Sequence, residues 1–124
     1  MVDLASGSVT PFYVAHGMGS DPNRTGYATK FSNISGSEMS SLGFYKTAET
    51  YMGEHGLMLR IDGLSDSNSN VRSRAIVVHG ADYVVDSPVQ QGRSWGCFAV
   101  PMADHVSLID NIKGGSMMYA GLSN

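Results

Sequence analysis

A run of four apolar residues, from Ala75 to Val78, constrains the possible fold more than any other feature of the sequence. The run has no polar face, so it predicts a strand that is buried on both sides and lies centrally in a sheet. His79 and Gly80 follow it directly. The sequence therefore predicts a sheet whose central strand carries an imidazole at its end.

The glycine content favours a mainly β fold. The chain has 15 glycines in 124 residues, many beside Ser or Asn, and such pairs are typical of tight turns between strands. A hydrophobic content of 42% and a charged content of 15% are typical of a globular chain without repeat or linker, so we expect one domain over residues 1–124. The net charge of −3 gives no basic surface for nucleic acid. No apolar run reaches the roughly 18 residues that a membrane span needs.

Hydrophobic periodicity predicts the other elements. Residues 103–113 carry Val106, Ile109 and Ile112 at helical spacing, and Gly114-Gly115 ends this predicted helix. Short strands are predicted at residues 12–16, 42–46, 50–51, 56–61 and 116–120. Polar loops are predicted at residues 17–41 and 62–72.

The only cysteine, Cys97, follows a turn of small residues at positions 92–96. A thiol is a strong nucleophile only as the thiolate, so it needs a base or a cation within reach. His79 can be that base, and the glycines of the turn let backbone N–H groups converge on a developing oxyanion. Two structural alternatives stay open, since a lone cysteine is often a small buried hydrophobe and a histidine after an apolar run is often a core residue. The three features within 19 residues together indicate a cysteine acyl-transfer site.

The spacing of these residues resembles a known signature. His79, fourteen intervening residues and then Ser94-Trp95-Gly96-Cys97 are similar to the pattern of the L,D-transpeptidase catalytic domain, the YkuD-like fold. That pattern has His, fourteen to seventeen residues, Ser or Thr, His, Gly and Cys. Segments similar to the murein L,D-transpeptidase branch of the family lie at 14–21, 31–45, 53–64, 74–84 and 92–101, so the resemblance covers residues 13–120. The chain departs from the pattern at Trp95, which replaces a histidine, and at Phe98-Ala99.

The resemblance implies a mainly β, YkuD-like sandwich or sheet with one short helix near the C-terminus. It implies a cysteine-dependent L,D-transpeptidase or L,D-carboxypeptidase that acts on peptidoglycan stem peptides, needs no cofactor or metal, and is a carbapenem target. Cys97 would be the nucleophile and His79 the base, with the carbonyl of Gly80 orienting the imidazole. The backbone N–H groups of Cys97 and Gly96 would bind the oxyanion.

Four further residues are candidates for substrate binding: Arg93, Ser94, Trp95 and His16. Arg93 could clamp a substrate carboxylate or lower the pKa of the thiol, and the alternative is a surface charge. Trp95 is expected to pack against the turn and narrow the cleft. The similar branch has His-Gly at the position of His16, where a hydrogen bond that ties a loop is the alternative.

Two other functions remain open. A zinc carboxypeptidase or amidase could use the four histidines, although they are scattered and form no HExxH motif. His105 is expected to be exposed on the helix, and His55 is expected to lie just before a strand. A non-catalytic wall-binding module is the third hypothesis, favoured by the replacement at Trp95. Tyr45, Tyr51 and Tyr83 could donate to an oxyanion or line a groove, but tyrosines on strands are mostly packing residues.

The first twelve residues lack the basic start and long apolar segment of a secretory signal. Taken literally, this predicts a cytoplasmic protein. The resemblance instead implies an exported enzyme of the periplasm or cell envelope, so we expect that the N-terminus is truncated.

Overall fold

A computed structural model describes residues 1–85, 87 and 92–122. In this part of the chain, five strands form one mixed sheet in the order β4-β3-β2-β1-β5, and one α-helix packs against it. The strands are β1 Gly43–Gly53, β2 Gly56–Gly63, β3 Val77–Ala81, β4 Phe98–Pro101 and β5 Met117–Ala120, and the helix is α1 Met102–Ile112. The predicted mainly β fold with one short helix near the C-terminus is confirmed.

The predicted apolar strand lies inside the sheet, as expected. β3 pairs antiparallel with β2 and parallel with β4, and all five of its residues are buried. The strand begins at Val77, later than the prediction, because Ala75 has a left-handed backbone with a φ of 57°. His79 therefore lies within the strand, and its partner in the parallel register is Ala99, two residues past Cys97.

A hairpin provides the centre of the sheet. β1 and β2 pair antiparallel up to Gly53 and Gly56, so only Glu54 and His55 form the turn. The two short strands predicted at 42–46 and 50–51 are one strand with a bulge between Thr47 and Thr50, and the bulge explains why the alternation of the sequence is interrupted there.

One hydrophobic cluster lies between the sheet and the helix. Its buried members are Tyr45, Leu59, Ile61, Val71, Ile76, Val78 and Ile109. Val78 of β3 faces this core, while its strand neighbours Val77 and His79 face the other side of the sheet. Burying apolar surface of this kind contributes about 25 cal/mol per Å².

The helix is confirmed within one residue at each end, but its buried face differs from the prediction. His105, Leu108 and Ile109 face the sheet, whereas Val106 is about half exposed. The expectation that His105 is exposed is therefore wrong: it is only 7% exposed, and its Nδ1 lies 2.7 Å from the carbonyl oxygen of Met102. In the described part of the chain, no helix has the length and apolar character for crossing a membrane.

The N-terminal third pairs with the sheet less than the sequence predicts. Residues 12–16 form no regular strand; Ala15 makes a single bridge to Ala99, and Gly17 makes one to Ser94. The polar segment that follows is irregular, as expected, apart from the short 3-10 helix Met18–Ser20. Hydrogen bonds that serine hydroxyls accept from backbone N–H groups or donate to carbonyl oxygens replace a ladder of backbone pairs in this region.

Candidate active site

His79 is a buried imidazole with one nitrogen fixed. The side chain is 4% exposed, and its Nδ1 lies 2.8 Å from the carbonyl oxygen of Gly80. A carbonyl only accepts hydrogen bonds, so Nδ1 carries the hydrogen and Nε2 is the basic nitrogen. Burial lowers the pKa of His79, the Gly80 carbonyl raises it, and repulsion from His55 and His105 lowers it further. The imidazole is consequently neutral at neutral pH.

A second histidine lies against the first. The ring of His55, in the hairpin turn, is stacked on the ring of His79, with 4.6 Å between centroids and 18° between planes. His55 is exposed, so it covers one face of a buried base. The sequence does not predict this contact, because a stacking contact across 24 positions leaves no local pattern. The signal that the sequence offers is the position of His55 in the turn before β2, the strand that pairs with β3.

The thiol of Cys97 is half-buried and also bonds to a backbone carbonyl. Its Sγ donates to the carbonyl oxygen of Ala75 over 3.8 Å, so the left-handed backbone of Ala75 lies directly at the sulfur. Burial raises the pKa of Cys97, while the backbone N–H of Val77 and the positive charge of Arg74 lower it. The net effect is a raised pKa, so the resting sulfur is a thiol.

Cys97 and His79 each have their own carbonyl partner. Among the described residues, no hydrogen bond joins the sulfur to the imidazole. The parallel register nevertheless brings the two strands that carry them side by side. Catalytic hydrogen bonds often form only when substrate is bound, so this geometry leaves the pair available for proton transfer.

The turn before Cys97 is held from inside by Ser94. This side chain is 5% exposed; its Oγ donates to the carbonyl oxygen of Cys97 at 2.6 Å and accepts from the N–H of Gly96 at 3.2 Å. Gly96 has a φ of 118°, and a Cβ there would lie 2.9 Å from the carbonyl oxygen of Met39. Only glycine fits this position. Its N–H donates to Oγ of Ser94 in this structure, and the binding of an oxyanion by the N–H groups of Gly96 and Cys97 stays a prediction.

Trp95 does not pack against the turn, contrary to expectation. Its side chain is 74% exposed, because Ser94 and Gly96 occupy the interior. A role for Trp95 at the cleft stays a prediction.

Arg93 and His16 take part in hydrogen bonds between the same turn and residues 16–21. Arg93 donates through Nη1 to the carbonyl oxygens of Asp21, at 2.5 Å, and Met18, at 3.4 Å. The carbonyl oxygen of His16 accepts from the N–H of Ser94 at 2.9 Å, and its Nε2 lies 3.8 Å from the Asp21 carboxylate. Both residues therefore tie the loop to the turn, and their predicted contact with substrate stays a prediction. The cation that acts on Cys97 is Arg74, which the sequence analysis did not single out.

The two described cavities differ in position. The larger, about 1180 Å³, lies against the N-terminal residues and β5 and does not include Cys97 or His79. A cavity of about 330 Å³ lies over Gly80 and is lined by His55 and His105. Neither of these two cavities is lined by Cys97 or His79, but the smaller one is lined by Gly80, whose carbonyl oxygen bonds to His79. No group of three or more His, Cys, Asp or Glu side chains in the described ranges could hold a metal ion.

Comparison with known proteins identifies the family. The family model of the L,D-transpeptidase catalytic domain matches residues 1–120 of the 124-residue chain. The chain therefore belongs to the L,D-transpeptidase catalytic domain family. No curated protein and no solved structure matches it. Membership supports a transferase that acts on peptidoglycan, in a family that is typically extracytoplasmic.

Proposed function

We propose that this chain is a cysteine-dependent L,D-transpeptidase or L,D-carboxypeptidase acting on peptidoglycan tetrapeptide stems. The observation that carries the proposal is the pairing of β3 with β4, which brings the strand of a buried histidine of fixed tautomer beside the segment that carries the only cysteine. Family membership supports the same reaction class.

In the first half-reaction, the thiol of Cys97 gives its proton to Nε2 of His79, and the sulfur attacks the carbonyl carbon of the third stem residue. The C–O π bond opens, and the oxyanion is stabilised by the N–H of Cys97. The intermediate collapses, the C–N bond to the terminal D-alanine breaks, and the leaving amine takes the proton from His79. The product is a thioester.

In the second half-reaction, an amine or a water molecule attacks the thioester. His79 accepts the proton of the attacking group, the C–S bond breaks, and the proton passes to the sulfur of Cys97. An amine gives a cross-link and water gives a shortened stem. The carbonyl of Gly80 holds the imidazole in the required tautomer throughout.

The resting pair is neutral, because the pKa of Cys97 is raised and the pKa of His79 is lowered. The resting pair therefore holds no stored thiolate and imidazolium, and the proton passes from Cys97 to His79 in the course of the reaction. The thiol must then exchange the carbonyl of Ala75 for the imidazole of His79 during the reaction.

The test is intact mass after incubation with a carbapenem, together with D-alanine release from disaccharide tetrapeptide with and without a chelator. We expect one adduct with the full mass of the carbapenem, because opening the β-lactam ring loses no atoms, and D-alanine release that the chelator does not affect. Chelator-sensitive release without an adduct would support the zinc alternative. Binding of muropeptide with neither adduct nor release would support the wall-binding module.

A further inference from the structure

Arg74 lies directly before Ala75, the residue whose carbonyl accepts from the thiol. Its guanidinium is held by four hydrogen bonds to one segment of the chain. Nη1 donates to the carbonyl oxygen of Ser32 and to Oγ of Ser41, both at 3.0 Å. Nη2 donates to Oγ of Ser37 at 3.2 Å and to the carbonyl oxygen of Met39 at 2.8 Å. The position of this side chain is therefore fixed.

The same guanidinium borders the turn that carries the nucleophile. Nη2 of Arg74 would lie 3.4 Å from a Cβ placed on Gly96, the residue before Cys97. The carbonyl oxygen of Met39, which accepts from Nη2, would lie 2.9 Å from that same Cβ. Arg74, the serine-rich segment and the turn are thus packed together without space between them.

The charge of Arg74 is not neutralised by a nearby carboxylate in the described part of the chain. All four of its hydrogen-bond partners are neutral. Arg72, only two residues away, is the opposite case: it bonds to the carboxylates of Glu49, at 2.8 Å, and Asp62, at 2.5 Å. The phenol of Tyr45 is no counter-ion either, because burial raises its pKa to about 12.

We propose that Arg74 is a positioning residue for the nucleophile, whose uncompensated positive charge stabilises the thiolate that Cys97 forms during acyl transfer. This inference rests on the proposed function. The titratable groups around the sulfur are consistent with it. Arg74 is the cation that lowers the pKa of Cys97 against the larger effect of burial, Tyr83 interacts with the same sulfur as a neutral phenol, and His79 is the base on the neighbouring strand.

The test is the alkylation rate of Cys97 with iodoacetamide from pH 6 to 10, followed by intact mass. The chain has one cysteine, so alkylation of a thiol reports this site alone. We expect Arg74→Gln to move the midpoint of the pH profile upward and to slow alkylation at pH 7 by about three- to tenfold. Arg74→Lys keeps the charge and should retain most of the wild-type rate.

Two control variants separate the charge from the hydrogen bonds. Arg72→Gln removes a positive charge two residues away that is about half exposed and screened by solvent, so it should leave the midpoint unchanged. Ser41→Ala removes one bond to Arg74 and keeps the charge, so it should lower the melting temperature without moving the midpoint.

A folded Arg74→Gln variant with the wild-type pH profile would overturn the proposal, and so would a Ser41→Ala variant that moves the midpoint equally. If Arg74→Gln does not fold, Arg74→Lys decides: a wild-type midpoint supports the charge, and a raised midpoint contradicts it. Alkylation needs no substrate. Failure of acyl transfer with the expected alkylation profiles would therefore count against the proposed function, while the effect of Arg74 on the thiol of Cys97 would stand.

Discussion

The base and the nucleophile of the proposed site are held in different ways. His79 is held by backbone pairing, opposite Met58 on β2 and Ala99 on β4. Cys97 lies just before β4, in a turn fixed by individual side chains: Ser94 bonds within the turn, and Oγ of Ser40 donates to the carbonyl oxygen of Gly96 at 3.3 Å. The first arrangement depends on a strand and the second on a few hydroxyl groups and a guanidinium.

This difference predicts where substitutions have their effects. A ladder of backbone hydrogen bonds survives most changes of side chain, so the position of His79 should be robust to its neighbours. A turn held by side chains loses a partner with each substitution, and a buried group without a partner costs about 1–3 kcal/mol. The reactivity of the thiol should therefore respond to residues that never contact the substrate.

Cys97→Ala should have the largest effect and remove acyl transfer completely, because the chain has no second thiol. The fold should persist, since the sulfur lies at the margin of the hydrophobic cluster and its loss leaves only a small void. The measurement is D-alanine release from tetrapeptide, with the thermal transition as the control for folding. Turnover by the folded variant would contradict the cysteine mechanism.

His79→Gln should lower the rate of carbapenem acylation by about 10²–10⁴-fold at neutral pH. One part of the loss is ionisation of the thiol, because a free thiol of pKa about 8.5 is only a few per cent thiolate near pH 7. That part should shrink as the pH rises, and the part due to proton delivery should stay.

The pH profile of the wild type sharpens this test. The lowered pKa of His79 means that the imidazole stays neutral below the ordinary value of about 6.5, so activity should be lost only at more acidic pH. Mass spectrometry of wild type and variant from pH 5 to 10 measures both effects. Parallel rates across that range would mean that His79 does not activate Cys97.

The sequence predicted the half of the site that the sheet holds. Four apolar residues from Ala75 to Val78 are a local pattern, and the β3 strand lies where they predict an inner strand. The helix is also predicted by a local pattern, but its buried face is not. Residues 105, 108 and 109 have helical spacing, and so do residues 106, 109 and 112. Packing against Gly80, where a Cβ would lie 2.7 Å from Cγ of His105, selects the first set.

The part of the site that side-chain contacts hold could not be predicted from sequence periodicity. Arg74 bonds to Ser32, which is 42 residues away, and His55 stacks on His79 across a hairpin turn. Neither contact follows from spacing, because each depends on how a loop or a turn folds over the sheet. The polar segment 31–41 was correctly predicted to be irregular, but its serines are hydrogen-bond partners of the site rather than a solvated loop.

Ser94→Ala should have an intermediate effect. The hydroxyl bonds to the N–H of Gly96 and the carbonyl of Cys97, so its removal takes a partner from each group and should cost about 1–3 kcal/mol of stability. Misplacing the nucleophile should lower kcat of D-alanine release by about tenfold or more. Ser94→Thr, which keeps the hydroxyl, is the matched variant. Equal activity of Ser94→Ala and wild type would show that the turn is held by its backbone alone.

Arg93→Ala should have the smallest effect, because Arg93 is one contact further from the sulfur. Its Nη1 bonds to the carbonyls of Met18 and Asp21, and the N–H of Met18 in turn donates to the carbonyl oxygen of Ser94 at 2.7 Å. If Arg93 also binds a substrate carboxylate in ground and transition states alike, KM should rise by about two- to fivefold while kcat changes little. Steady-state D-alanine release measures both constants, and Arg72→Ala controls for the loss of one positive charge. An unchanged KM with a lowered melting temperature would mean that Arg93 only stabilises the contact between the loop and the turn. The hypothesis that Arg93 binds a substrate carboxylate would then be wrong.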